Sequence, residues 1–309
     1  MLKSLQKAFK VKEVRDRLLY TFMMLVVIRI GCCLPIPGVD PSYLHDFFAK
    51  QTTDVFGFFN AMTGGSFSSM SIFALSITPY ITSSIIIQLL TIAIPKLEEL
   101  QKDGEDGRKK IAEYTRYLTV GLALFESCAM AVGLGGKGLL LEDHRNIWGY
   151  LTVVAAMTAG SALLMWIGER ITDNGVGNGI SIVLLINIVS GTPQDMMTLY
   201  ERFMAGRSVA VATVSGIIVL AIIVAIVVFV LVLNDAERRI PVQYSKKMQG
   251  RRMIGGQSTY IPLKVNTANV IPVIFASSIM SMPVMIAQFF HVDYSTIGGK
   301  ILLALSSSN

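Results

Sequence analysis

Hydrophobic positions come in long blocks rather than alternating with polar ones. Apolar runs lie at about 18–34, 71–94, 115–134, 148–168, 179–191, 209–234 and 269–290, separated by more polar stretches that carry charge or glycine. A bilayer core about 30 Å thick is crossed by roughly 20 apolar residues in a helix. An unpaired backbone group in lipid costs several kcal/mol, so helices are the default solution. Each run therefore reads as a membrane-spanning helix, the fifth a short one. The expected fold class is an all-α polytopic membrane protein.

Charge placement orients these spans. With the N-terminus inside, the inside segments hold 20 of the 27 Lys and Arg residues, the outside segments 6, and Arg29 lies within the first span. Such an excess on one side is the signature of cytoplasmic loops. The net charge of +6 is thus mostly a topology signal. Composition agrees: 52% of residues are hydrophobic and 16% charged, against about 25% charged in soluble domains. The basic segment 1–17 is followed by an apolar run that ends in Pro35, Ile36, Pro37 and Gly38, with no small-residue cleavage site. It reads as a cytoplasmic anchor before a first span, not as a removed signal peptide. Cys32, Cys33 and Cys128 sit in apolar runs without metal-ligand spacing.

The irregular stretches carry more information, because non-helical backbone at membrane depth needs protein or a water-filled cavity around it. In FFNAMTGGSFSSMSIFALSITPY (58–80), Gly64 and Gly65 loosen the chain and Ser66, Ser68, Ser69 and Ser71 make the next turn polar. This reads as a short half-helix feeding a full span through Pro79, or as an outer loop dipping onto the membrane surface. In ITDNGVGNGIS (171–181), Gly175, Gly177 and Gly179 superficially resemble a phosphate-binding loop. No strand precedes them and no Lys-Ser/Thr follows, so a helix–helix turn with close backbone packing is the better reading. From 234 to about 266, turn residues at Gly250 and Gly255–Gly256 are flanked by short mixed runs. They predict a cytoplasmic β-hairpin rimmed by Lys246, Lys247, Arg251 and Arg252, suited to ribosomal RNA, an acidic protein face or lipid headgroups.

The spans contain little chemistry. Arg29 and Glu126 are their ionisable groups, with Arg29 close enough to Pro35 to reach outward. There is no carboxylate or histidine cluster for a proton relay, which argues against an ion-coupled transporter. Neither a nucleophile–base pair nor an HExxH pattern is present. Ile77, Ile81 and Ile85 instead form an i, i+4, i+8 aliphatic stripe. Such a stripe packs against lipid or protein, and a ring of such residues also seals a pore by dewetting.

Four strings carry a family likeness: LPIPGVD from Leu34 to Asp40, SIFALSITPYITSSIIIQLL (71–90), ERITDNGVGNGISI (169–182) and QGRRMIGGQSTYIPLKVNTANVIPVIFASSI (249–279). On these the chain resembles the SecY family, channel subunits of the bacterial Sec translocon. The resemblance implies an hourglass channel of ten spans in two inverted halves, of which this chain carries seven. The first half would be 18–191. An incomplete second half would be 192–309, with cytoplasmic loop 235–266. The chain reads as a truncated form, without spans eight to ten, and is not expected to close a pore alone. The resemblance places Ile77, Ile81, Leu184 and Ile274 on the pore ring. It puts the plug at 64–73, including Gly64, Gly65, Ser66, Phe67 and Ser68. Gln88 and Asn178 become polar positions near a lateral gate formed by spans 2 and 7. Arg251 and Arg252, with Lys246 and Lys247 beside them, become the contact for the ribosome and the SecA motor ATPase. Implied partners are SecE, SecG, signal sequences, nascent polypeptides and membrane lipids, in the bacterial cytoplasmic membrane. No cofactor, metal or catalytic residue is implied.

Overall fold

A computed structural model describes residues 11–40, 60–242, 247–249, 252–254, 259–267 and 276. The helices are α1 (Lys12–Cys33), α2 (Thr78–Ala93), α3 (Pro95–Lys102), α4 (Gly104–Leu134), α5 (Ile147–Asn174), α6 (Gly179–Phe203) and α7 (Val209–Asp235). The strands are β1 (Glu237–Val242), β2 (Lys247–Gln249), β3 (Arg252–Ile254) and β4 (Thr259–Lys264). The chain divides into two compact units inside α6, one holding residues up to Pro193 and the other running from Gln194 to Ala276.

Among the described residues, α5, α6 and the stretch Ala210–Asp235 of α7 are long and apolar enough to cross a membrane; the pair α2–α3, bent by 103°, supplies up to one more. In α4 the last 18 residues, Tyr117 to Leu134, hold one charge, Glu126. The predicted seventh span, about 269–290, lies outside the described residues apart from Ala276.

Several helix boundaries differ from the sequence reading, α4 for example beginning at Gly104 where the third span is expected from about 115. The second span was expected from residue 71, but the helix starts at Thr78. Pro79 has no N–H to donate and disfavours helical backbone in the residue before it, so it marks a first turn and not a helix interior. Of the half-helix expected before it, the described residues show helix at 60–63, followed by consecutive turns. The fifth span runs to Phe203 with Pro193 inside it, twelve residues past the expected end at 191. The polar residues after Pro193 continue the helix because polarity alone does not end one.

In the first unit the core has two clusters. One gathers Ile36, Phe67, Met70, Leu75, Ala123, Met130, Leu139, Val153 and Met157. The other gathers Ile28, Phe73, Ile77, Leu164, Ile167, Ile171 and Val183. Small residues allow close backbone approach: a Cβ on Gly179 of α6 would overlap the Gly168 carbonyl of α5, and one on Gly160 of α5 would overlap the carbonyl of Ile72 in the non-helical stretch before α2. This is how helices associate in lipid, where hydrophobic burial between them is weak. On the rim of α4 and α5, Arg116 Nε donates to Glu169 Oε1 at 2.8 Å, with the arginine side chain 49% exposed. Water and salt screen such a pair, so Glu169→Gln should cost less than about 1 kcal/mol, read as a small melting shift in detergent that disappears at high salt.

In the second unit, α7 is apolar all round. Beyond it β1 and β4 pair antiparallel, from Glu237 opposite Lys264 to Val242 opposite Thr259. Pro241 and Pro262 fit because the ribbon has two strands and every strand is an edge. Arg239 stacks over the Tyr260 ring at 4.7 Å across the ladder. The expected hairpin is therefore present in the described residues, within a fold that is otherwise helical.

Candidate functional site: an aliphatic cluster beside a folded turn segment

The stretch between residues 60 and 77 is the most irregular part of the first unit. It is held in place by its own polar side chains. Asn60 Oδ1 accepts the Ser68 N–H at 3.1 Å, and Thr63 Oγ1 accepts that of Phe67 at 3.3 Å. The hydroxyls of Ser68 and Ser69 donate to the Gly65 carbonyl at 3.0 and 2.9 Å, and that of Ser71 to the Ser66 carbonyl at 3.3 Å. Serines thus satisfy carbonyls that a helix would have paired, as expected of residues that compete with helical bonding. Gly64 and Gly65 have φ of 66° and 81°, which glycine adopts without steric cost. Met70 and Ser76 also have positive φ, 43° and 52°, values costly for residues with a Cβ unless the surroundings enforce them.

Those surroundings are the residues after α1. Ile36 N–H donates to Met70 O and Ile72 N–H to Leu34 O, both at 3.0 Å, and Pro35 bridges Ser71. Phe67 is 1% exposed inside the first cluster; burying a side chain of that size is worth about 1.5–3 kcal/mol. The segment is thus docked in the core, not laid on a surface.

Ile77 follows directly and is fully buried. Its carbonyl accepts Ile81 N–H at 3.1 Å, which opens α2 and keeps the aliphatic stripe on one face. Ile77, Ile81 and Leu184 belong to the same apolar cluster, Ile81 and Leu184 half-buried at its margin. Three of the four expected ring positions thus come together; Ile274 lies outside the described residues. Gly64, Gly65, Ser66, Phe67 and Ser68 all fall in the docked segment beside them.

The remaining expected residues are more dispersed. Gln88 is exposed on α2. Asn178 caps α6, its Oδ1 accepting the N–H groups of Ile180 and Ser181 at 3.0 and 3.3 Å. No hydrogen bond joins it to Gln88 among the described residues. The glycine turn between α5 and α6 is a close-packed connection: Thr21 Oγ1 of α1 accepts Val176 N–H at 3.2 Å and Thr172 Oγ1 accepts Gly179 N–H at 2.9 Å. Lys247 and Arg252 lie on β2 and β3, which pair with Gln249 opposite Arg252; Lys246 and Arg251 lie outside the described residues. Arg29, expected to reach outward, has Nη1 buried with no acceptor among the described residues.

Two contributors were not anticipated. Asn187 of α6 is 1% exposed and its Nδ2 donates to Ser76 Oγ at 3.0 Å. Gly31 of α1 makes room for the Phe73 ring. A lone asparagine in an apolar span was the available signal for the first, since uncharged polar groups within spans also pair.

The sequence profile of the SecY family matches residues 71–307. The chain belongs to the SecY family. It is 46% identical over 301 residues to the protein translocase subunit SecY of Streptomyces scabiei, covering 94% of this chain and 68% of that protein. Two solved channels share the fold. One is a SecY whose plug domain is described as stabilising the closed state and maintaining a membrane seal (TM-score 0.53, 19% identity, 92% of this chain, 61% of that one). The other is Sec61 in a canine ribosome–channel complex (TM-score 0.51, 21% identity, 90% of this chain, 59% of that one). The chain thus spans about two thirds of the length of the translocase relative and less of the two channels. The family is one of translocation-channel subunits, not of enzymes.

Proposed function

We propose that this chain builds part of a protein-conducting channel that passes unfolded secretory polypeptides across the bacterial cytoplasmic membrane. The observation that carries the reading is the docked 64–76 segment set against the aliphatic cluster of Ile77, Ile81 and Leu184. An apolar constriction holds back ions by dewetting and makes no demand on the sequence of the passing chain. Ile274 is proposed to complete this chain's share of the ring and residues 64–73, including Gly64, Gly65, Ser66, Phe67 and Ser68, to form the plug. Residues 18–191 would form the first half of the channel, with spans 2 and 7 parting sideways so that signal sequences and new spans reach lipid, near Gln88 and Asn178. The N-terminus and the β-ribbon unit would face the cytoplasm, as the excess of Lys and Arg there favours. Lys246, Lys247, Arg251 and Arg252 would then meet anionic partners, the ribosome and the SecA motor, with SecE and SecG completing the assembly.

The test is photocrosslinking of an arrested nascent chain in the intact translocase. A crosslinker at Ile81 should capture the translocating chain, whereas one at Ile92, 80% exposed on the same helix, should capture lipid. Capture of the nascent chain at Ile92 in place of Ile81 would overturn the assignment of the path.

A further inference from the structure

Asn187 carries a feature that the pore reading does not use. It is buried in the apolar first half of α6, and it is touched by both ends of the turn segment. At one end, its Nδ2 donates to Ser76 Oγ at 3.0 Å in a fully buried bond. Ser76 has φ 52° and directly precedes Ile77. At the other end, Gly64 packs on its backbone: a Cβ on Gly64 would lie 2.7 Å from the Asn187 carbonyl oxygen and 2.8 Å from Ser190 Oγ. Ser190 Oγ donates to that same carbonyl at 2.6 Å. The amide is only half satisfied. Its Oδ1 is buried and meets no donor among the described residues.

Resting on the channel reading, we propose that Asn187 is a gating latch, the positioning residue that seats the 64–76 segment on α6, with Ser76 as its partner. A half-used buried amide suits reversible closure. While the segment is seated, one bond registers it and one acceptor goes without a partner. When water reaches the site, the amide and the serine hydroxyl are both solvated, so release recovers what closure leaves unmet. Gly64 fits the same role, because a side chain there would strike the α6 backbone and hold the segment off its seat.

The experiment is resting ion conductance of the intact translocase in planar bilayers, together with export of a precursor whose signal sequence is defective. Asn187→Ala and Ser76→Ala should each raise resting conductance about three- to tenfold, as loss of one buried hydrogen bond predicts. The double variant should leak no more than the leakier single one, since both remove the same bond. Both singles should accumulate in the membrane at normal levels and export the defective precursor. Additive effects of the two substitutions would overturn the latch. So would failure of the single variants to accumulate, which would make the pair a packing contact. Ile81→Asn separates the two readings: a leak there with silent Asn187→Ala and Ser76→Ala removes the latch and keeps the channel. Silence of all three removes both.

Discussion

Gly160→Val should abolish accumulation of the folded protein, lowering its level in the membrane more than tenfold. Gly160 lies on α5 where the helix meets the turn segment, and a Cβ there would overlap the carbonyl oxygen of Ile72. The obstacle is backbone, so no rotamer change relieves it. Nor is that backbone free to retreat. Ile72 N–H is bonded to Leu34 O at 3.0 Å, and the adjoining Ser71 is bridged to Pro35. Relief would have to break this tie to the residues after α1 or separate α5 from the segment. Overpacking a well-filled interior costs about 1–3 kcal/mol even where side chains give way, and here a backbone tie adds to it. That is enough to deplete a marginally stable fold. Gly121→Val is the control, because a Cβ on Gly121 of α4 meets nothing within 4 Å. Immunoblots of membranes and melting in detergent read both. Equal accumulation of the two variants would show that the approach of α5 to Ile72 is not close-packed.

The contrast between these glycines shows how far the chain's architecture is legible. The spans are plain because lipid demands long apolar runs, and the β-ribbon is plain because turn residues punctuate short mixed runs. Residues 64–77 are not, since their conformation is set from a distance. Residues 34–36, some thirty-five positions away, supply the partners of Met70 and Ile72, and serine hydroxyls replace helical bonding. The aliphatic stripe could be seen, yet its placement against Leu184 needed the fold. Asn187 is not legible either, because a neutral amide carries no charge to mark it within an apolar run and its partner Ser76 lies 111 positions away. The end of α6 is not legible because the apolar run stops near 191, whereas the helix continues through Pro193 and the polar residues after it.

Ile81→Asn should raise the resting ion conductance of the intact channel at least tenfold and relax its selectivity for signal sequences. Ile77, Ile81 and Leu184 meet in one cluster, but they are not equivalent in it. Ile77 is fully buried and begins the first turn of α2, so replacing it damages the fold as well as any seal. Ile81 and Leu184 are half-buried at the cluster's margin, where a polar group changes the wetting of the surface without leaving a buried unpaired amide. An apolar constriction excludes water because no wall atom repays the hydrogen bonds that entering water gives up. An asparagine repays them, so the constriction wets and ions follow. Selectivity should fall with it, because a signal sequence has less closure energy to overcome. Leu184→Asn should leak likewise, and the double variant by less than the product of the singles, since the first polar group already wets the gap. Ile92→Asn, 80% exposed on the same helix, should leave conductance unchanged. A leak from Ile92→Asn matching that of Ile81→Asn would mean that perturbing α2 anywhere opens the channel, and the aliphatic seal would have to be abandoned.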